Sequence, residues 1–425
     1  METIAAIDVG SNAMRIMVGR IVYDGKVKVI ENLRLPVRLG QDAFTTGIVS
    51  DETAQQSVEA FGRFRKIADD HKAREIRAVA TSAMRELANA NLLIDRIRRS
   101  SGIEIEVISG EEEARLIHLA VSQSLNLKDR HALLIDIGGG SVEVTLSQNG
   151  NILSTESYNM GTVRLLKKLC GEKNSAMPFH KLVREYAEAA RHRIDRELGS
   201  KKIDICLGTG GNIEEMGNLR KKIFKRDSDR AITLEELDKL VETLSRMKVE
   251  ERMRKFKLKP DRADVILPAS IVLQMIAHEA KIKEVIIPNV GLKDGVLWDM
   301  VFNQKKSSRV SPREQVWASA LSLGEKYKFD AEHAKLVARH AGKLFDMSAS
   351  LHNLPEENKL LLEIGALLHD IGHFINTVDH NKHGYYIIKA SPLIGLLKPS
   401  RTLWPTLCCI TANQHRRWKM GRFGL

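Results

Sequence analysis

The sequence predicts an α/β protein built by duplication, followed by a segment of helices only. Three observations carry this. Ala5-Ala6-Ile7-Asp8-Val9-Gly10-Ser11-Asn12 resembles Leu133-Leu134-Ile135-Asp136-Ile137-Gly138-Gly139-Gly140-Ser141, an apolar strand ending in Asp and running into glycine and hydroxyl residues. Each copy is followed by further extended segments, and helical stretches lie between the copies. From Ser311 to about Ala390 the apolar spacing is helical throughout. Two halves of this kind place a ligand between them.

The length of 425 residues predicts two to three domains, with apolar residues at 43% and charged residues at 28%, a globular composition that excludes a disordered chain or a fibre. No run approaches the ~20 apolar residues of a membrane helix. Met1-Glu2-Thr3-Ile4 enters a strand with no basic or apolar leader, so no secretory signal is expected. Cys170, Cys206, Cys408 and Cys409 form no Cys-x-x-Cys pair, and a reduced, cytoplasmic protein is expected. The net charge of +12 is uneven. Residues 1–125 hold 17 Lys/Arg against 18 Asp/Glu, residues 126–300 hold 31 against 26, and residues 301–425 hold 18 against 10, with 8 of the 14 histidines. That balance suggests a polyanionic partner, although a solvated basic surface would also account for it. Nucleic acid is not expected, because zinc-finger spacing, RNA-binding aromatic motifs and a basic helix are all missing.

In chain order, the first copy leads to an extended segment over Val27–Leu39. A helix over Asp51–Lys72 and strands Ile76–Ala80 and Ile103–Ile108 follow. In the second copy Val142, Val144 and Leu146 share one face of a strand and Glu143 and Thr145 the other, before an extended Ile152–Val163. Amphipathic helices are expected over Met177–Glu197 and Thr233–Lys248, a strand over Ile203–Leu207, and a helix near Ile213–Asn218. Ser307-Ser308 reads as a linker, and Ser311-Pro312-Arg313-Glu314 as a capping box restarting a helix. The expected domains are 1–125, 126–304 and 305–425.

Phosphate binding needs several backbone N–H groups with no side chain in the way, which glycine-rich turns supply. Gly10-Ser11-Asn12, Gly138-Gly139-Gly140-Ser141 and Gly208-Thr209-Gly210-Gly211-Asn212 are such turns, the last also opening a helix. Asp8 and Asp136 close apolar strands, where a carboxylate is costly unless it meets a cation or hydrogen-bond donors. Mg²⁺ suits them, with Glu143 close by in sequence; capping a turn is the alternative use. Ser109 and Glu112 read as a capping box, which leaves Glu113 in the first helical turn as a carboxylate available to deprotonate water. Arg85 follows a strand and either neutralises phosphoryl oxygens or makes a surface ion pair.

Together Asp8–Asn12, Ser109–Arg115, Asp136–Glu143, Gly208–Gly211 and Asn289–Leu297 resemble the exopolyphosphatase / guanosine pentaphosphate phosphohydrolase family of the actin-like ATPase superfamily. The resemblance covers residues 1–300. It implies two ribonuclease-H-like domains facing across a cleft and Mg²⁺-dependent hydrolysis of terminal phosphoanhydride bonds. It makes Glu113 the base, Asp136 and Glu143 the metal-associated acids and Arg85 a phosphate contact. It also makes Ser11, Asn12, Gly139, Gly140 and Ser141 the phosphate loops, and implies a homodimer. The last domain resembles the all-α HD-type domain of longer members through His340, His369-Asp370 and His383, and less closely through His415. Agreement lapses between Leu396 and Asn413, so a shortened or divergent end is expected. No Asp or Glu follows Asp379, whereas eight Lys/Arg do, so this domain is expected to grip a polyanion rather than act as a second hydrolase.

The expected activity is release of orthophosphate from polyphosphate. Hydrolysis of guanosine pentaphosphate in the stringent response and non-catalytic alarmone sensing are the alternatives. An actin-like or sugar-kinase ATPase is disfavoured by the Ser-Gly-x-Glu-Glu helix start.

Overall fold

The computed structural model describes residues 2–22, 26–170, 178–198, 202–305, 312–391 and 393–396. Two compact units divide the chain, Met1–Arg309 and Val310–Leu425. The first unit holds two sheets. Strands β1 (Thr3–Val9), β2 (Met14–Ile21), β3 (Val27–Leu35), β4 (Glu75–Ala80) and β5 (Ile105–Val107) lie in the order β3-β2-β1-β4-β5. Strands β6 (His131–Ile137), β7 (Val142–Gln148), β8 (Asn151–Tyr158), β9 (Ile205–Thr209), β10 (Ala231–Thr233) and β11 (Glu284–Ile286) lie in the order β10-β11-β9-β6-β7-β8.

The duplication is one of topology as well as sequence. β1 pairs antiparallel with β2 and parallel with β4, and β6 pairs antiparallel with β7 and parallel with β9. The motif strands are therefore central, buried among apolar residues such as Ile7, Val9, Ile135 and Ile137. Both Asp-x-Gly turns emerge at the same end of their sheets. The expected faces of β7 are those of the structure, with Val142 and Val144 in the core, but both faces are buried from Val142 to Ser147. Glu143 is therefore as enclosed as Val144.

Several elements end earlier than their pattern predicts. β3 stops at Leu35 and β8 at Tyr158, since Thr162 starts a helix running to Cys170. The Thr233–Lys248 stretch is a helix Leu234–Ser245, capped by a full Thr233/Glu236 capping box, and Lys248 then caps a new helix Val249–Phe256. The helix near Ile213 is longer than expected, spanning Gly211–Phe224. At Ser109 only half of the predicted capping box forms. Ser109 Oγ accepts from Glu112 N at 3.3 Å, but the Glu112 carboxylate takes two 2.8 Å bonds from the Arg115 guanidinium instead. A bidentate charged pair outcompetes a single amide donor.

The helix Leu292–Lys305 follows the second sheet in sequence yet packs on the first. Its Val296, Leu297, Met300 and Val301 join Ile4, Ala6, Val79, Ile108 and Leu116 in one core. It crosses the helix Gly110–Ser124 so closely that a Cβ on Gly295 would run into the Leu116 carbonyl.

The described residues of the second unit form helices Pro312–Lys326, Ala331–Met347, Ala349–His352, Glu356–Leu367 and His380–Ala390, with a 3₁₀ turn at Ile371–Phe374. Val316, Ala320, Ala338, Ile364 and Leu367 form its core. The Ser307-Ser308 linker, the Ser311 cap and His415 lie outside the described residues. Among those described, no helix is long and apolar enough to cross a membrane.

The Gly295 crossing carries a prediction. Gly295→Val should cost about 1–3 kcal/mol by overpacking, seen as a lowered unfolding midpoint. It should also lower activity, because Leu116 lies one turn from Glu113. An unchanged midpoint would show that the two helices separate freely.

Candidate active site

The two Asp-x-Gly turns face each other across a cavity of about 110 Å³ whose wall includes Asp8, Ser11, Asn12, Glu113, Asp136, Gly139, Ser141, Gly210 and Gly211. The loops nearly touch: a Cβ on Gly139 would lie 2.8 Å from the Ser11 Cβ, so only glycine permits this approach. Ion pairs hold the halves together. Arg34 pairs with Asp261, Arg38 with Asp264 at 2.8 Å, and Arg164 with Glu86. Asn12 Nδ2 donates to the Asp261 carbonyl at 2.9 Å while its Oδ1 accepts from Arg38 Nε at 3.1 Å.

The acids separate into two environments set by one cross-strand position. In the first sheet Asp8 stands opposite Arg15, and they pair at 2.9 Å. In the second sheet Asp136 stands opposite Glu143. Two carboxylates there repel instead of attract. Glu113 reaches the same point from the helix Gly110–Ser124, and carboxylate oxygens of Glu113, Asp136 and Glu143 lie within 4.8 Å of one another. Thr209 Oγ1 donates to Asp136 Oδ1 at 2.5 Å and Ser157 Oγ to Glu143 Oε1 at 2.9 Å, but Glu143 Oε2 is buried with no hydrogen-bond partner. Unsatisfied buried carboxylate oxygens in a like-charged group fit a hard divalent cation.

Burial dominates the protonation of this group. It pushes Asp136 up to about 6, against the Thr209 hydroxyl and with the Asp8 charge. Burial and then the Asp136 charge push Glu143 up to about 7, opposed by the Ser141 and Ser157 hydroxyls. Glu113 rises well above the usual carboxylate range through burial and the Glu143 charge, with Arg85 pulling the other way.

Arg85 does not sit on the cavity wall. Its Nη1 donates to the Ile108 carbonyl at 2.6 Å and lies 3.4 Å from Glu113 Oε2, so its contact is the glutamate. Gly140, Gly208 and Thr209 are also off the wall: Gly208 is within β9, and Thr209 is occupied by Asp136. The cations that do line the cavity are Arg15, Arg262 and Lys293. None of the three was among the sequence candidates. Arg262 Nη1 donates to Asn212 Oδ1 at 2.9 Å. Burial, then the Arg15 and Arg34 charges, press its pKa down to about 10 against the Asp261 and Glu214 charges, so it keeps its charge at neutral pH. The only available signals were position 15, seven residues after Asp8 as Glu143 is after Asp136, and Lys293 within the closing motif.

A model of the Ppx/GppA phosphatase family matches residues 18–304. The chain belongs to this family. The domain III model of Ppx/GppA phosphatases matches residues 317–424. The Aquifex aeolicus Ppx/GppA family member is 26% identical over 72% of this chain and 99% of its own, with a TM-score of 0.62. An exopolyphosphatase from Cytophaga hutchinsonii is 25% identical over 71% and 98%, with a TM-score of 0.66. A third solved structure, an exopolyphosphatase-like protein, is 25% identical over 70% and 97%, with a TM-score of 0.63. The two-sheet α/β architecture is that of Ppx/GppA structures, and the chain is a phosphatase by family.

The raised carboxyls make a stability prediction for this Ppx/GppA phosphatase. Acids whose pKa rises on folding contribute stability that is complete below their unfolded values and lost as pH passes the folded ones. In chelator-treated protein the unfolding midpoint should therefore fall from roughly pH 5 to 8, and Glu143→Gln should flatten part of that fall. Equal slopes in the two proteins would mean Glu143 titrates normally.

Proposed function

We propose that this phosphatase is an exopolyphosphatase that removes terminal orthophosphate from inorganic polyphosphate with Mg²⁺. The carrying observation is the cavity itself, where Glu113 and Asp136, with Glu143 behind the wall within 4.8 Å of them, share the site with Arg15, Arg262, Lys293 and two glycine-rich loops. A phosphoanhydride end requires both kinds of partner. Among the described residues the wall carries no aromatic ring on which a guanine would stack, which favours polyphosphate over guanosine pentaphosphate.

Asp136 and Glu143 would hold Mg²⁺, which when bound supplies charge neutralisation to phosphoryl oxygens. Glu113 takes the proton from the attacking water as its oxygen bonds to the terminal phosphorus and the P–O bond to the chain breaks. Burial and the Glu143 charge raise the Glu113 pKa, and in its ionised form a carboxylate with a raised pKa is a stronger base than an ordinary one. Arg85, fixed by the Ile108 carbonyl, holds Glu113 in place rather than touching phosphate. Arg15, Arg262, Lys293 and the amides of the Gly139 loop receive the charge that develops on the phosphoryl group.

Phosphate release from long-chain polyphosphate and from guanosine pentaphosphate, measured side by side with Mg²⁺, tests the substrate. Faster release from the nucleotide would reverse the assignment. Glu113→Gln should lower kcat by about 10²–10⁴-fold with KM little changed. Glu112→Gln should keep most activity, since an amide still bonds Arg115. Full activity in Glu113→Gln would place the base elsewhere, and no phosphate release from either substrate by the unaltered protein would favour the sensor reading. Arg262→Gln removes a charge-assisted contact of about 1.5–3 kcal/mol, so KM should rise roughly 10–100-fold. An unchanged KM would take Arg262 out of the phosphate site.

A further inference from the structure

The helix Thr162–Cys170 begins directly behind the Gly138–Ser141 loop. Amides of Thr162 and Val163 donate to the Gly138 and Gly139 carbonyls at 3.1 and 2.8 Å, and the Gly161 amide donates to the Gly140 carbonyl at 3.2 Å. First-turn amides of a helix have no partners within it, and here the loop carbonyls serve as those partners. These peptides are trans, so each N–H points opposite to its C=O. The amides of Gly139, Gly140 and Ser141 therefore turn away from the helix. Among the described residues none of the three is spent on another backbone acceptor, and Gly139 and Ser141 are on the cavity wall.

Arg164 ties this loop to the other half of the unit. Its Nε donates to the Gly140 carbonyl at 2.6 Å. Its two Nη atoms donate to the two oxygens of the Glu86 carboxylate, Nη1 to Oε2 at 2.8 Å. The face of the guanidinium lies over the Phe44 ring, 4.2 Å from its centroid. Glu86 ends the helix Ser82–Glu86 and Phe44 follows the helix Leu39–Ala43, both in the first half. Phe44 also backs the loop directly, since a Cβ on Gly140 would run into its ring and into the Ser82 hydroxyl. Ser82 Oγ in turn lies 3.2 Å from Ser11 Oγ of the opposite loop.

An arginine that bound substrate would keep an edge for it. Here both edges of the guanidinium and its face are taken by protein, and Arg164, Glu86 and Phe44 are all off the cavity wall. An ordinary surface ion pair joins two side chains and contributes little. This one also reaches a peptide of the phosphate loop. A planar fork can serve a carbonyl and a carboxylate at fixed angles, which a lysine cannot.

We propose that Arg164 is a positioning residue for phosphate recognition, aligning the Gly139–Ser141 amides of the second half against Glu86 and Phe44 of the first. This rests on the reading of that loop as a phosphate cradle. A carboxylate and a ring in one half thus fix peptides in the other. Separation of the halves draws Glu86 from Arg164 and releases the Gly140 peptide, so affinity for a phosphoryl group depends on closure of the cleft.

The test measures binding of methylenediphosphonate, a phosphoryl-chain end whose P–C–P bridge resists hydrolysis, by titration calorimetry on the full chain with Mg²⁺. Arg164→Ala should weaken Kd by about tenfold or more, since misplaced positioning groups carry penalties of that order. Glu86→Gln should weaken it less, at a side chain 39% exposed where folding is not at risk. Glu86→Ala should add nothing in the Arg164→Ala background, because both act through one guanidinium. Unfolding midpoints measured alongside separate lost affinity from lost fold, and if Arg164→Ala does not fold, Glu86→Gln alone decides. A wild-type Kd in either folded single variant, or additive losses in the double variant, would overturn the proposal and leave the cradle reading intact. No binding by the unaltered chain would overturn the cradle reading and the proposal with it.

Discussion

Three carboxylates enclosed within 4.8 Å of one another set the terms for the first unit. Two like charges 4 Å apart repel by about 4 kcal/mol at an effective dielectric of 20, and here desolvation adds to the repulsion. The group must hold protons or a cation. Burial raises all three acids, so a metal-free site is partly protonated at neutral pH and a metal ion must displace those protons on entry. The rest of the cavity follows from this. Glycine loops, Arg15, Arg262 and Lys293 line the same cavity, so its wall is not acidic alone.

The duplication explains how opposite binding preferences arose on one frame. Asp8 and Asp136 occupy equivalent strand ends, each facing a residue seven positions later across the first hairpin. Arg15 at that position in the first half neutralises its aspartate and leaves a guanidinium at the cavity. Glu143 in the second half doubles the negative charge instead. One difference within a repeated ladder pair thus leaves a neutralised aspartate at one sheet end and two facing carboxylates at the other.

The fold's repeat and the loops were legible because strand–Asp–glycine patterns are local. Asp136 could be singled out because a carboxylate closing an apolar strand is costly, whereas Glu113 and Glu143 drew their roles from the family resemblance. Arg262 and Lys293 carry no such signal. Arg262 lies in a polar stretch where arginine is ordinary, and only the interdomain packing of Asp261 and Asp264 against Arg34 and Arg38 brings it to the cavity. The Leu292–Lys305 helix belongs by sequence to the second half, and its return to the first sheet is a tertiary choice that periodicity does not encode. The Glu112 capping arm failed for a similar reason. Arg115, one turn away, offered a stronger partner than the backbone. His340 was chosen by motif spacing, whereas His333, two turns earlier on the same helix, is the imidazole that packing delivers to Asp370.

The cavity between the two glycine-rich loops has Glu113 on its wall, and the position of that side chain is set by packing. Glu113 stands at this closed space, held at the start of a helix that Arg115 ties to Asp299 at 2.9 Å and Arg77 ties to the same Asp299 at 2.5 Å. Asp299 lies on the returning Leu292–Lys305 helix, so the placement of Glu113 depends on the packing of that helix against the first sheet.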